Sequence, residues 1–184
     1  MAEILRQPEI MKKAQAELAE IIGKGKLIEE VDVSRLPYLE CITKETLRMH
    51  PPDPFLVPRK VEQDVELCGF IIPKGSQILV NVWDIGRNST LWEDPLKFKP
   101  ERFWNSDLDM RGQDFELIPF GAGRRICPGM TLALKMVSVM LGSLLNSFNW
   151  KLEADIEPEE LNMEEKFGIS LSKAHPLRAI PCPL

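Results

Sequence analysis

Cys127 is the residue whose neighbours say most about chemistry. It stands in the run Pro119-Phe120-Gly121-Ala122-Gly123-Arg124-Arg125-Ile126-Cys127-Pro128-Gly129. Gly121 and Gly123 permit a tight loop with backbone angles that other residues rarely adopt. Pro128 suits the start of the helix expected from the apolar residues that follow. The thiol therefore stands at a helix N-terminus, where the dipole and free N–H groups favour its ionised form. Arg124 and Arg125 add positive charge. An ionised sulfur among backbone donors suits the proximal ligand of a haem iron. On its own, a cysteine near a helix start is more often a buried structural thiol. The spacing Phe120-x-x-Gly123-x-Arg125-x-Cys127-x-Gly129 turns the balance toward a ligand.

Two other groupings carry charge at defined spacing. Glu45 and Arg48 are three residues apart and so are neighbours on a helix. Taken alone they form a solvated ion pair worth under about 1 kcal/mol. Phe98-Lys99-Pro100-Glu101-Arg102-Phe103 taken alone is a proline-initiated turn with a surface pair. The remaining candidates are weaker. His50 reads as a helix C-terminal residue favoured by the dipole, and neither it nor His175 has a catalytic partner. Cys41, Cys68 and Cys182 read as structural or incidental, and without a C-x-x-C pair they complete no zinc site. Glu153, Asp155, Glu157, Glu159, Glu160, Glu164 and Glu165 read as a solvated acidic loop.

Around these residues the sequence predicts mostly helix. A helix over residues 8–22 carries Met11, Ala14, Leu18 and Ile21 on one face. A second, from Pro37 to Met49, is stopped by Pro51-Pro52. Two short strands are expected on either side of the turn Pro73-Lys74-Gly75-Ser76. Residues 83–118 are turn-rich, with short helical pieces near Leu91 and Pro100. The last long helix, over residues 128–147, has a narrow polar stripe of Thr131, Lys135, Ser138, Gly142 and Asn146. Its other faces are apolar, so it is expected to be largely buried. Gly168 to Leu171 predicts a short strand or turn. The fold class is mainly α with small β-sheet elements (α+β).

Composition bounds the function. The chain has 184 residues, the length of one ordinary domain. Its 44% hydrophobic and 28% charged residues exclude disorder for most of it. With 23 Lys+Arg against 28 Asp+Glu, it lacks the excess base of a non-specific nucleic-acid binder. Four cysteines are too few for a disulfide scaffold of this size. No stretch approaches the roughly 20 consecutive apolar residues of a membrane span, and Met1-Ala2-Glu3-Ile4 is not a signal peptide.

Taken together and in this order, the three motifs resemble the cytochrome P-450 family of haem-thiolate monooxygenases, along the whole chain. The resemblance implies the C-terminal part of a single domain of that fold, residues 1–184, with the haem loop at 119–129. By it, Cys127 is the axial thiolate, and Phe120, Gly121, Arg125 and Gly129 belong to the haem-binding loop. Arg125 and Arg59 resemble partners of the haem propionates. Glu45, Arg48 and Arg102 would form a buried charged triad beneath the haem. Phe55, Leu56 and Val57 would face the substrate, with Ile169 in a second contact segment. Pro119–Gly129, Pro73–Ser76 and Trp83–Asn88 are similar to plant microsomal members, and the tail through Phe167–Leu171 most resembles the geraniol 8-hydroxylase group of terpenoid and phenolic hydroxylases.

The resemblance also implies haem b, O2, a lipophilic small-molecule substrate, and electrons from NADPH through a flavoprotein reductase. Full-length members sit at the endoplasmic reticulum membrane. Their membrane anchor, the helix on the distal haem face and most of the substrate pocket would lie outside this chain. Two rivals stand beside the monooxygenase. One is a hydroperoxide isomerase or dehydratase of the same fold, which would carry extra residues in the cysteine loop; Phe120 to Cys127 has no insertion. The other is a truncated, catalytically inert haem-binding fragment.

Overall fold

The structure is a computed structural model that describes residues 1–153, 156–168 and 170–184. Its helices form where the apolar spacing requires. Helix α1 (Ala2–Arg6) turns at Gln7 into α2 (Pro8–Ile21), with Pro8 in the first turn. Ile10, Ala14 and Leu18 of α2 are buried. A six-residue 3-10 turn, Glu30–Arg35, leads to α3 (Pro37–Met49), whose bounds match the expected helix. No side chain of its own caps α3. Glu17 of α2 does so instead, accepting the N–H groups of Tyr38 at 2.7 Å and Leu39 at 3.0 Å. Burial pushes the Glu17 carboxyl up, more than these two N–H bonds draw it down. Most of α3 is buried, including Leu39 and Ile42 as well as Cys41, Glu45 and Arg48, because it packs against α2, the last helix (Met130–Ser147) and the Pro100–Phe103 turn.

The strands correct one expectation. β1 (Arg59–Lys60), β2 (Val65–Leu67), β3 (Phe70–Ile72) and β4 (Gln77–Ile78) make two hairpins, one inside the other. β2 pairs with β3 across Cys68-Gly69, and β1 pairs with β4. Cys68 and Gly69 have φ values of 51° and 81°. Two left-handed residues make the tight turn whose twist matches the strands. The Pro73–Ser76 turn therefore does not join paired strands. It folds back on β1 instead, with Gly75 N–H donating to Val61 O at 2.8 Å.

α4 (Val82–Ile85) is capped by the Asn81 side chain. Near Leu91 there is a turn rather than a helix, closed by the N–H groups of Leu91 and Trp92 on Asn88 O. The helical piece at Pro100–Phe103 is present as a 3-10 turn.

The last helix, α5 (Met130–Ser147), begins two residues later than Pro128 and is not largely buried. Ser138, Gly142, Leu145 and Asn146 are its buried residues, while Leu132, Met136, Val137 and Met140 are exposed. The contact face is the C-terminal part of the polar stripe, Ser138, Gly142 and Asn146, together with Leu145, while Thr131 and Lys135 are exposed. A Cβ at Gly142 would come within 2.8 Å of Ile28 Cδ1 and 3.0 Å of Leu39 Cδ2, so the ends of these side chains fill the space that the glycine leaves. Asn146 Nδ2 then donates to Gly23 O at 3.0 Å and Lys26 O at 2.9 Å, satisfying the loop after α2. By length and composition α5 could cross a membrane, yet it packs on α2, α3 and the 30–35 turn.

Four strands follow: β5 (Phe148–Leu152), β6 (Glu165–Lys166), β7 (Ser172–Lys173) and β8 (Ala179–Pro183). β5 pairs with β8 and β6 with β7, both antiparallel. The described residues are thus mainly helical with four small two-stranded sheets.

Candidate haem-binding site

The loop before α5 is shaped by its backbone. Gly121 and Gly123 have φ values of 75° and 62°, and Gly121 N–H donates to Ile118 O at 2.9 Å. A short 3-10 turn covers Gly123–Arg125. Cys127 N–H then donates to Phe120 O at 2.9 Å and closes the ring of the loop. Gly129 is the N-cap, so Cys127 stands two residues outside the helix. Cys127 is exposed. A Cβ on Gly129 would lie 3.8 Å from its Sγ, so ordinary contact is all that the glycine avoids there.

Arg59 reaches this loop from β1, its Nη2 donating to Arg125 O at 3.3 Å. A Cβ at Gly121 would lie 3.6 Å from Leu56 Cδ1 and 3.9 Å from Arg59 Nη2. Leu56, Arg59, Gly121 and Arg125 are therefore brought together. Leu56 has φ 53°, a strained value for a residue with a branched side chain. Phe55 and Val57 beside it are exposed. Leu171 N–H donates to Pro52 O at 2.7 Å, which joins the C-terminal segment to this turn. Ile169 lies outside the described residues.

Glu45 and Arg48 are not a solvated pair. Arg48 donates Nε to Glu45 Oε2 at 2.7 Å and Nη2 to Oε1 at 2.8 Å, with both side chains fully buried. Arg102 Nε donates to Glu45 Oε1 at 3.0 Å, and Lys99 N–H donates to the same oxygen at 2.7 Å. Arg48 also donates to the carbonyls of Gly86, Pro95 and Lys97, and Arg102 to those of Glu93, Asp94 and Lys97. The Pro100–Phe103 turn is thereby fastened to α3.

The chemistry of this donor set can be tested against haem. No group of three or more His, Cys, Asp and Glu side chains that could hold a metal ion occurs among the described residues. A bare cation has no ligand set here. A single exposed thiol with its own N–H already engaged suits a metal whose remaining ligands come from a macrocycle. Two arginines beside it suit that group's carboxylates. The residues present fit.

One polar network was not legible in the sequence. His50 does end α3, but it also sits between two carboxylates, Nδ1 at 2.9 Å from Glu165 and Nε2 at 2.9 Å from Glu3. Glu165 further accepts from Trp83 Nε1 at 2.9 Å and Arg87 Nη2 at 3.3 Å. It is thus no part of a solvated acidic loop. Burial pushes its carboxyl up, but the bonds from Trp83 and His50 and the Arg87 charge outweigh this and hold it below the usual glutamate value. His50 and Glu165 are 115 residues apart, so no local spacing could reveal the pair.

A glycine-shaped thiol loop thus stands before a long helix, and a buried Glu-Arg-Arg cluster fastens the Pro100–Phe103 turn to α3. The family model for Cytochrome P450 matches residues 1–177, and the chain belongs to that family. It is 68% identical over its whole length to geraniol 8-hydroxylases from Catharanthus roseus and Swertia mussotii. It is 58% identical to a geranylhydroquinone 3''-hydroxylase from Arnebia euchroma. The chain spans 37% of the length of each of these three relatives. Among solved structures, a zebra fish cytochrome P450 with abiraterone is 31% identical with a TM-score of 0.86, all of this chain aligning to 41% of that one. A second structure of a zebra fish P450, with progesterone, gives a TM-score of 0.85 at 31% identity, covering all of this chain and 40% of that one. The expected family, its plant hydroxylase subgroup and the partial mainly-α fold are all borne out.

Proposed function

We propose that the protein is the C-terminal part of a haem-thiolate monooxygenase that hydroxylates a lipophilic small molecule of the terpenoid or phenolic class. The observation that carries this is the exposed Cys127 thiol, its N–H committed to Phe120 O and its sulfur free. Identity of 68% to two geraniol 8-hydroxylases supports the substrate class. When bound, haem b supplies an iron that takes up O2, with a thiolate whose electron density favours O–O cleavage. The chain's own residues do the rest. Cys127 binds the metal. Phe120, Gly121 and Gly129 shape the face of the loop, and the missing Cβ of Gly121 leaves room beside Leu56 and Arg59. Arg59 and Arg125 hold the propionates. Glu45, Arg48 and Arg102 keep the layer beneath rigid. Phe55, Leu56 and Val57 offer an apolar surface that excludes water and orients the substrate, and Ile169 is assigned to the substrate by the family resemblance alone.

Electrons come from NADPH through a flavoprotein reductase, at the endoplasmic reticulum membrane. The uninterrupted loop from Phe120 to Cys127 supports this over a hydroperoxide isomerase. The exposed apolar residues Leu132, Met136, Val137 and Met140 favour a second reading, a haem-binding portion without turnover of its own. The test is the ferrous carbon-monoxide spectrum of the haem-loaded protein, with O2- and NADPH-dependent hydroxylation as a second measurement. A thiolate-type Soret band that vanishes in Cys127→Ala is expected. The same band in that variant would overturn the ligand assignment, and a band without turnover would favour the second reading.

A further inference from the structure

The Glu45 cluster carries an imbalance. Two guanidinium groups share one carboxylate, all three nearly or fully out of water. The cluster therefore holds a surplus of positive charge that backbone carbonyls offset only in part. Trp92 stands where that surplus is. It is 6% exposed, and its ring centroid lies 5.3 Å from Arg48 Cζ and 5.8 Å from Arg102 Cζ. The negative face of an indole attracts a cation within about 6 Å, more strongly where water is excluded. The ring is also pinned. Its Nε1 donates to Ile85 O at 3.1 Å, and Phe103 meets it edge-on at 5.8 Å between centroids.

The same ring belongs to the apolar cluster that supports the cysteine loop. Trp92, Phe103, Leu117, Met110, Leu47 and Cys41 are buried together, and Phe120 packs against them. Phe120 is the residue whose carbonyl accepts the Cys127 N–H. We propose that Trp92 is a positioning residue of the thiol site. Its π face binds the surplus charge of the Glu45 cluster, and its apolar body passes that fixed position through Phe103 and Leu117 to Phe120 and Cys127. The second half rests on Cys127 being the haem ligand.

The test must separate a charge-binding ring from one that only fills space. Tryptophans carrying one to four ring fluorines keep the shape and weaken the negative face step by step. They are incorporated at position 92 alone and, as a control, at position 150 alone. Trp150 is half-buried and makes the same two kinds of contact: its Nε1 donates to Leu144 O at 3.0 Å and Phe148 meets it edge-on at 5.9 Å. Among the described residues no cation lies over its ring. Urea unfolding without haem gives the first measurement. The folded-to-unfolded ratio should fall with fluorine number at position 92, by about tenfold overall, and stay flat at position 150. Equal slopes at the two positions would overturn the charge-binding role.

The second measurement is the share of thiolate-type band in the ferrous carbon-monoxide spectrum. It should decline along the position 92 series, and Trp92→Phe should retain more of it than Trp92→Leu. An unchanged share across the series would overturn the link to Cys127. If Cys127→Ser keeps the thiolate-type band, the ligand assignment fails instead, and the urea series still decides the role of Trp92.

Discussion

The Glu45 cluster and the Cys127 loop both hold an ionisable group in place, by opposite means. Glu45 accepts four hydrogen bonds, from Arg48, Arg102 and the Lys99 N–H, and is sealed from solvent. Cys127 is fixed through its backbone N–H alone, and its side chain is exposed. A carboxylate held by four donors and closed off from solvent is not available to anything else. A thiol held only by its backbone keeps the whole of its reactivity. The first arrangement makes stability, and the second makes a site available.

The contrast can be broken at its stable end first. Glu45→Gln keeps the shape and removes the charge, leaving two buried guanidinium groups without their counter-ion. Stripping a partner from a buried ion pair costs about 3–5 kcal/mol, so urea denaturation should show the largest loss of the set. A loss below about 1 kcal/mol would mean a solvated pair. Next is Gly86→Ala. A Cβ there would overlap the Arg48 carbonyl. Backbone cannot give way as a side chain end can, so about 1–3 kcal/mol is expected for this overpacking. An unchanged denaturation midpoint would show that Arg48 is not tightly held from this side.

Acid should act through a third point, where His50, Trp83 and Arg87 meet Glu165. A carboxyl held below its ordinary value of 4.5 contributes stability above that pH. The contribution is lost as pH falls through the folded value. Thermal midpoints should therefore drop on acidification below about pH 4.5, less steeply in Glu165→Gln than in the parent. Parallel curves would remove Glu165 from the account.

The smallest effect on stability belongs to the other end of the comparison. Cys127→Ser should change the urea midpoint by no more than an ordinary surface substitution, within about 0.5 kcal/mol. It should abolish the thiolate-type carbon-monoxide band altogether. A large loss of stability would mean that the thiol is a packing residue after all.

Much of this was legible from the chain. The bounds of α3 follow from Pro37 and the Pro51-Pro52 stop, and Gly121, Gly123 and Cys127 announce their loop by spacing. The Glu45–Arg48 pair was visible as a pair, but its burial was expected only from the family resemblance, because i,i+3 spacing looks the same on a wet face and a dry one. The hairpin turn fell at Cys68-Gly69 rather than Pro73–Ser76, since cysteine carries no turn signal of its own. Trp92 gave no signal at all. Its partners Arg48 and Arg102 come from either side of it in sequence and meet it only through folding.

The clearest division is in α5. The sequence predicted a helix over residues 128–147 with one polar stripe and apolar faces, because helical periodicity is a local property, and the structure starts it two residues later. Which face turns inward was decided by the tertiary structure. The usual rule sends the apolar face in, but here Gly142 leaves room for the side-chain ends of Ile28 and Leu39, Leu145 is buried beside it, and Asn146 satisfies carbonyls of the loop after α2. Close approach and buried carbonyls belong to pairs of elements, and a sequence read along one element contains neither.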